Sequence, residues 1–413
     1  SLPGKKSQAM PENLALNDKI LALTAKGVKI PCPHSVEIGD DVPVERISGK
    51  GVVFHSGTKV FGGKTVIGSG VVLGHEAPLT AVDCVIGPGV ELKGGYCRGS
   101  LFLDGVAVGS GAQVREGCIL EEGVRGGHCV GLKQTILFPF VTLGSLVNFC
   151  DCLMAGGTSR KDHSEVGSSY IHFNYTPEQD KATPSLIGDV PQGVMVNRPP
   201  IFLGGQGGAV GPVSIGYGAV VMAGTILRKD VAGGKLVGCG TTAVERDRSR
   251  AHPGDRERKI RNNILYLANL VALRRWYEEI RGLFFERSEF GAEIKQGALT
   301  ILDGALDERL LRLREFIEMA KERDPSFREP RWDEAAAVLA PGRGVNVGRK
   351  ERDTFMRIVE KKIQGNGADY LKVIKGLGPE EASLGTAWLQ AVVDESARRL
   401  SAAVLPGDKK SGS

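Results

Sequence analysis

The chain has 413 residues, 41% hydrophobic and 24% charged, with a formal net charge of +5. That length supports two or three hydrophobic cores, and that balance excludes a disordered chain. So mild a charge gives no electrostatic case for a nucleic-acid partner, and no run of about 18 apolar residues could cross a membrane as a helix.

Residues 1–26 read as an N-terminal tail and helix. The start carries Lys5 and Lys6 but no apolar segment, so it is not read as a secretory signal. Eight cysteines are too few for a disulfide scaffold of this length, and none forms a CxxC pair. They read as reduced, mostly buried thiols of a cytoplasmic protein. Composition then divides the chain. Of 57 glycines, 42 lie before residue 241, whereas Trp276, Trp332 and Trp388 all lie after it. The division falls in a charged, polar stretch at 241–255, read as a linker.

Residues 27–240 carry an internal repeat. Val66-Ile-Gly-Ser-Gly-Val71, Val85-Ile-Gly-Pro-Gly-Val90, Val108-Gly-Ser-Gly-Ala112 and Ile215-Gly-Tyr-Gly-Ala219 share an aliphatic residue, a glycine and small residues. The period is six. An aliphatic residue at every sixth place can point inward from one flat side of a prism, and the adjoining glycine permits a tight corner. Three sixes make a coil of about 18 residues, and stacked coils bury one another's aliphatic ladders. An antiparallel sandwich would show longer strands and hairpin turns instead. The fold class expected is therefore a parallel β-helix followed by an α-helical domain at 256–405. Arg256–Phe285, Leu306–Arg323, Asp353–Ile363 and Pro379–Leu400 have helical spacing of apolar residues. Residues 406–413 read as a disordered tail. Because the end of a β-helix exposes unpaired strand edges, the helical domain is expected to cap the column or to pack on a neighbouring prism.

The repeat is similar to the hexapeptide, left-handed β-helix proteins; the hand comes from that resemblance. From about Gly27 to Val231 it resembles one family more closely, the β-helix domain of the bifunctional bacterial enzyme that acetylates glucosamine-1-phosphate and uridylylates the product. The best segment is Val166-Gly-Ser-Ser-Tyr-Ile-His172-Phe-Asn174-Tyr175, followed by a loop with Lys181 and by Ile187-Gly188-Asp189. Gly111-Ala-Gln-Val-Arg115-Glu-Gly117 and Cys129-Val-Gly-Leu-Lys133 match two further runs. The resemblance implies that Arg115 and Lys133 bind a sugar phosphate or nucleotide sugar. It implies that Asn174 and Tyr175 sit at the acetyl-transfer centre, that Lys181 is a loop lysine of the site, that acetyl-coenzyme A is the donor, and that the chain forms a homotrimer. Independently, the interval from Arg115 to Lys133 is one full coil, and the two would stack on one edge about 5 Å apart. Two stacked cations with no acid beside them call for an anion.

The departures matter as well. Only the short tail and helix of residues 1–26 precede the first repeat, so uridylyl transfer is not expected. The family's catalytic histidine does not map cleanly: ungapped counting puts Asp151 there, the repeat is irregular between Phe138 and Leu146, and Asn148 is the alternative; neither is a histidine. The bases available for acyl transfer are His163, flanked by Asp162, and His172, two positions before Asn174. Arg160–Ser164 is not a family feature, and Pro199–Gly208 reads as an insertion. Two other functions stay open: a non-catalytic nucleotide-sugar sensor or scaffold, and a zinc-dependent β-helix enzyme. No histidine spacing supports the metal reading, and no metal is expected.

Overall fold

A computed structural model describes residues 17–173, 181–238, 253–323, 329–340 and 345–405. The expected class is the one observed: a left-handed parallel β-helix followed by a helical region. The prism has three faces. The first is a ten-stranded parallel sheet running from Val53–Phe54 to Leu236–Val237. The second runs from Glu37–Ile38 to Ile226–Leu227 and the third from Val66–Ile67 to Ser214–Ile215, each strand pairing with its counterpart one coil away. Strands Gly131–Leu137 and Asn148–Met154 continue round the corner between these two faces.

Each face buries one inward ladder. On the second face it includes Ile38, Val60, Ala81, Cys97, Val114, Leu132 and Phe149, all at most 2% exposed. Just past the corner a second ladder uses small side chains: Thr65, Cys84, Ser100, Cys118, Thr135, Cys152 and Ser185, all buried. Several of them donate to the carbonyl two positions back, as Ser100 does to Arg98 and Thr135 to Lys133. That explains three of the cysteines as corner fillers, and burial raises the Cys84 and Cys118 thiols to about 12. The corner itself needs a left-handed backbone once per coil. Gly62, Asp83, Gly99, Gly117, Gln134 and Asp151 take it, with φ between 50° and 95°. Glycine adopts this without cost, and Asp tolerates it better than most residues.

The third face is covered outside as well as inside. Its outward residues Val66, Val85, Leu101, Ile119, Ile136 and Leu153 are as buried as the inward Ile67, Ile86 and Phe102. They pack against the helices: α3 (Pro253–Arg275), running through a wider turn at Trp276–Arg281 into α4 (Gly282–Phe285), then α5 (Gly291–Arg323), α6 (Trp332–Leu339), α7 (Arg349–Asn366), α8 (Tyr370–Lys375) and α9 (Pro379–Val404). These numbers follow α1 (Asp18–Lys26) and α2 (Val190–Gly193).

The expectation of a helical end-cap is therefore corrected: the helical half lies along one side of the prism. Capping falls to α1. Ile20 and Leu23 join the prism core, and Lys19 and Lys26 donate to carbonyls of the first coil between Gly39 and Glu45. The assignment of Pro199–Gly208 as an insertion is also corrected. Phe202–Leu203 pairs with Glu165–Val166 and with Val220–Val221 as an ordinary coil strand, and the extra residues are those around α2. No described helix is long and apolar enough to cross a membrane.

One cluster fixes the helical half to the prism. Arg281 is fully buried and contacts Glu121, at 3.1 Å, and both carboxylate oxygens of Glu122. The Tyr277 hydroxyl donates to Glu121 at 2.6 Å, and the centre of the Tyr370 ring lies 3.7 Å from the guanidinium carbon. The wider turn at Trp276–Arg281 presents Tyr277 and Arg281 to the prism together, a use to which such turns are often put.

Candidate functional site

The structure brings Arg115 and Lys133 into adjacent coils. Val114 pairs with both Cys97 and Leu132, so the outward residues that follow, Arg98, Arg115 and Lys133, form one ladder on the second face. Strand spacing puts neighbours about 4.8 Å apart. Sequence spacing misses Arg98, because the coil from Arg98 to Arg115 is one position shorter than the regular repeat. Lys133 pairs with Glu116 at 3.3 Å, so the expectation of two cations with no acid beside them is corrected. Among the described residues Arg98 and Arg115 are exposed and carry no ion pair. One step on, Lys133 pairs in register with Cys150, not with Asp151.

Asp151 stands instead at the left-handed corner position, 8% exposed. Its carboxylate meets Arg309 of α5 at 3.1 Å and accepts from the Thr183 hydroxyl at 3.2 Å. It is thus held between the two halves of the chain. Nε and one terminal nitrogen of Arg309 are buried without a hydrogen-bond partner.

His172 lies beside this corner. Its backbone stacks on Ala209, and through the pairing of Ile171 with Asn148 it continues the inward ladder after Phe149. Alternation therefore points its ring into the prism, where it is 4% exposed and its Nε2 lies 2.7 Å from the Ser185 hydroxyl. Burial pushes its pKa down to about 4, against the opposing pull of Asp151. His172 is neutral at pH 7. Between pH 6.5 and 4 the unfolded chain accepts a proton that the folded chain refuses. Stability is full above pH 6.5 and falls as the pH drops toward 4, by about 3 kcal/mol at about 1.36 kcal/mol per pH unit. Urea midpoints across that range should show this slope, and His172→Leu should flatten it; an unchanged slope in the variant would contradict the assignment.

His163 is not part of that group. It sits in a small antiparallel hairpin, Gly157–Ser159 with Asp162–His163, that grows out of the coil. Asp162 does not orient its ring, because the Asp162 carboxylate accepts from Thr158 at 2.7 Å. His163 Nε2 faces Glu165 at 4.0 Å. Lys181 is exposed, and Asn174 and Tyr175 lie outside the described residues. Among the described residues no three His, Cys, Asp or Glu side chains are grouped so as to hold a metal ion.

Beside the cation ladder, α5 forms the wall of a groove of about 830 Å³. Its prism side carries Arg46, Lys64, Asp83, Arg98, Glu116 and Gln134, one from each of six successive coils. This groove had no signal in the repeat, since its wall comes from a helix far along the chain, beyond the whole β-helix.

No family model matches the chain. Three curated proteins named "Bifunctional protein GlmU" are similar to part of it. That of Thermotoga petrophila is 30% identical over 220 residues, 52% of this chain and 42% of the relative. That of Carboxydothermus hydrogenoformans is 32% identical over 213 residues, 52% and 42% respectively. That of Mycobacterium tuberculosis is 29% identical over 222 residues, 54% and 40%. The matched length is close to that of the β-helix half, and the chain spans about two fifths of the length of these relatives.

Proposed function

We propose that the β-helix binds the phosphate of an amino-sugar phosphate or a nucleotide sugar on the Arg98–Arg115–Lys133 ladder and serves acyl transfer to that ligand. The observation that carries the reading is the ladder, in which two of three stacked cations carry no ion pair. Guanidinium groups donate well to phosphate, and an anion there relieves the repulsion between neighbours. Similarity to the GlmU proteins supports acetyl-coenzyme A as donor, acting as a co-substrate; uridylyl transfer forms no part of this reading. His172 is neutral but points into the prism, and burial that lowers its pKa to about 4 makes it a weak base; His163 is nearer the solvent.

A second reading, a nucleotide-sugar sensor without chemistry, is favoured by the inward position of His172 and by the Arg309 partner of Asp151. Calorimetry decides on binding. Wild type should bind glucosamine-1-phosphate, and Arg115→Ala/Lys133→Ala should weaken binding by 10-fold or more, since each charge-assisted hydrogen bond contributes about 1.5–3 kcal/mol. Equal affinity in the variant would reject the ladder. Acetyl transfer lost in His172→Gln or His163→Gln, with binding kept, identifies the enzyme; binding with no transfer by wild type identifies the sensor.

We also propose a homotrimer, assembled through the first and second faces because the third is covered. Phe202, Val220 and Leu236 support this: they stack in register on the first face and are 41%, 40% and 71% exposed. A solution mass of a single chain would contradict it.

A further inference from the structure

We infer that the helical half completes the ligand site, and that the groove under α5 takes the nucleoside of a nucleoside diphosphate sugar whose phosphates lie on the ladder. The inference rests on the ladder reading and adds a ligand class and a second wall to it. Arg98 belongs to both features: it is the first cation of the ladder, following Phe61 and Val82 in register, and it lines the groove. A ligand anchored on the ladder therefore has the groove as its continuation toward the first coils. Five coil spacings of about 4.8 Å give the groove the length of an extended ligand. Its volume of about 830 Å³ lies in the upper part of the range of about 300–1,000 Å³ usual for ligand pockets. A sugar monophosphate would leave most of it empty.

The lining suits a nucleoside. Half-buried Ile301 on α5 offers apolar contact for a flat ring, with Val66 and Val85 buried behind the groove against the helices. Glu293 of α5 and Asp83 of the prism present carboxylates, and Gln296 and Thr300 amide and hydroxyl groups, to the hydroxyl and amino donors of a ribose and base. Arg46 and Lys64 at the far end carry no ion pair among the described residues, so the rim stays cationic. Space is kept open on α5 by glycine. At Gly297 a Cβ would come within 2.8 Å of Val85, so the helix lies against the prism there. At Gly304 a Cβ would meet nothing within 4 Å, so a side chain would project into the groove. Glycine weakens a helix interior relative to any ordinary residue, and α5 holds it at this position, facing the open groove.

Gly304→Leu is the test, because leucine favours the helix and enters empty space. The probes are UDP-N-acetylglucosamine and glucosamine-1-phosphate, titrated by calorimetry into the full chain. The expected result is that Gly304→Leu melts no lower than wild type, binds UDP-N-acetylglucosamine at least 10-fold more weakly, and binds glucosamine-1-phosphate within twofold of wild type. Lys64→Glu, at the groove's far end, should weaken the nucleotide sugar in the same selective way. If Gly304→Leu binds the nucleotide sugar as tightly as wild type, the groove inference is overturned and the ladder reading stands. If wild type binds neither probe, both are overturned.

Discussion

Replacing Arg281 by alanine is expected to cost the folded state about 3–5 kcal/mol and to loosen the helical half from the prism. The reason is charge, not volume. Arg281 is the buried cation facing Glu121 and Glu122, with Asp104 nearby and Tyr277 and Tyr370 against its plane. Burial already pushes Asp104 up to about 6 and raises Glu121, even with Arg281 pulling both down. Without the guanidinium, two or three carboxylates would be buried with no counter-charge. Lysine should rescue little, because the bidentate hold on Glu122 and the stacking on Tyr370 need a planar group. Glu121→Gln should cost under about 1.5 kcal/mol, since Glu122 still balances the charge and Tyr277 keeps an acceptor. Urea unfolding, with near-ultraviolet circular dichroism reporting on Trp276, measures all three. An alanine variant as stable as wild type would mean that the two halves are not joined by this cluster.

The second large effect concerns Asp151. Asp151→Gly alone should cost about 3 kcal/mol, the low end for a broken buried pair, because Arg309 would keep Glu308, 3.6 Å away, as its remaining counter-charge. The corner backbone itself should not object. Gly62, Gly99 and Gly117 take the same left-handed position in other coils. Adding Arg309→Leu to Asp151→Gly should therefore recover most of the loss, leaving an uncharged corner like those at Gly99, Gly117 and Gln134. Two independent costs that simply add would refute the pairing. The same double variant bears on function. If Asp151 is a latch between the halves and not an acid or base, the recovered protein keeps both the ligand binding and any acyl transfer of wild type; binding kept with transfer lost would make it an acid or base.

The fold was legible because its signal is repeated. Each coil restates the inward aliphatic residue and the corner glycine, so no single departure hides the pattern. The helices were legible for the usual reason, the helical period of their apolar residues. Their placement was not recognised, yet a trace exists. On the third face the repeats carry two consecutive apolar residues, Val66-Ile67, Val85-Ile86, Leu101-Phe102 and Ile119-Leu120, as a strand buried on both sides requires.

The site was legible only in part. Arg115 and Lys133 stack as a coil of regular length demands. The coils on either side are each one position shorter, which hid Arg98 and carried the count to Asp151 where Cys150 stands in register. Alternation ties His172 to one strand face, but it does not say which face. The neighbours do: Phe149 and Ala209 in the adjacent coils are inward residues, so His172 is one too. The Glu116 partner of Lys133 comes from an extra residue before the corner glycine Gly117, a local irregularity that a regular period cannot announce.

The most direct test of the central claim is a thermal-shift titration of the whole chain with glucosamine-1-phosphate, UDP-N-acetylglucosamine and acetyl-coenzyme A, singly and in pairs. A ligand at a hundredfold its Kd adds about 2.7 kcal/mol to the folded state. The account predicts stabilisation by the two phosphate-bearing sugars, lost in Arg115→Ala/Lys133→Ala, with acetyl-coenzyme A adding to it if acyl transfer occurs. No shift with either sugar, or a shift that survives the loss of both cations, would contradict it.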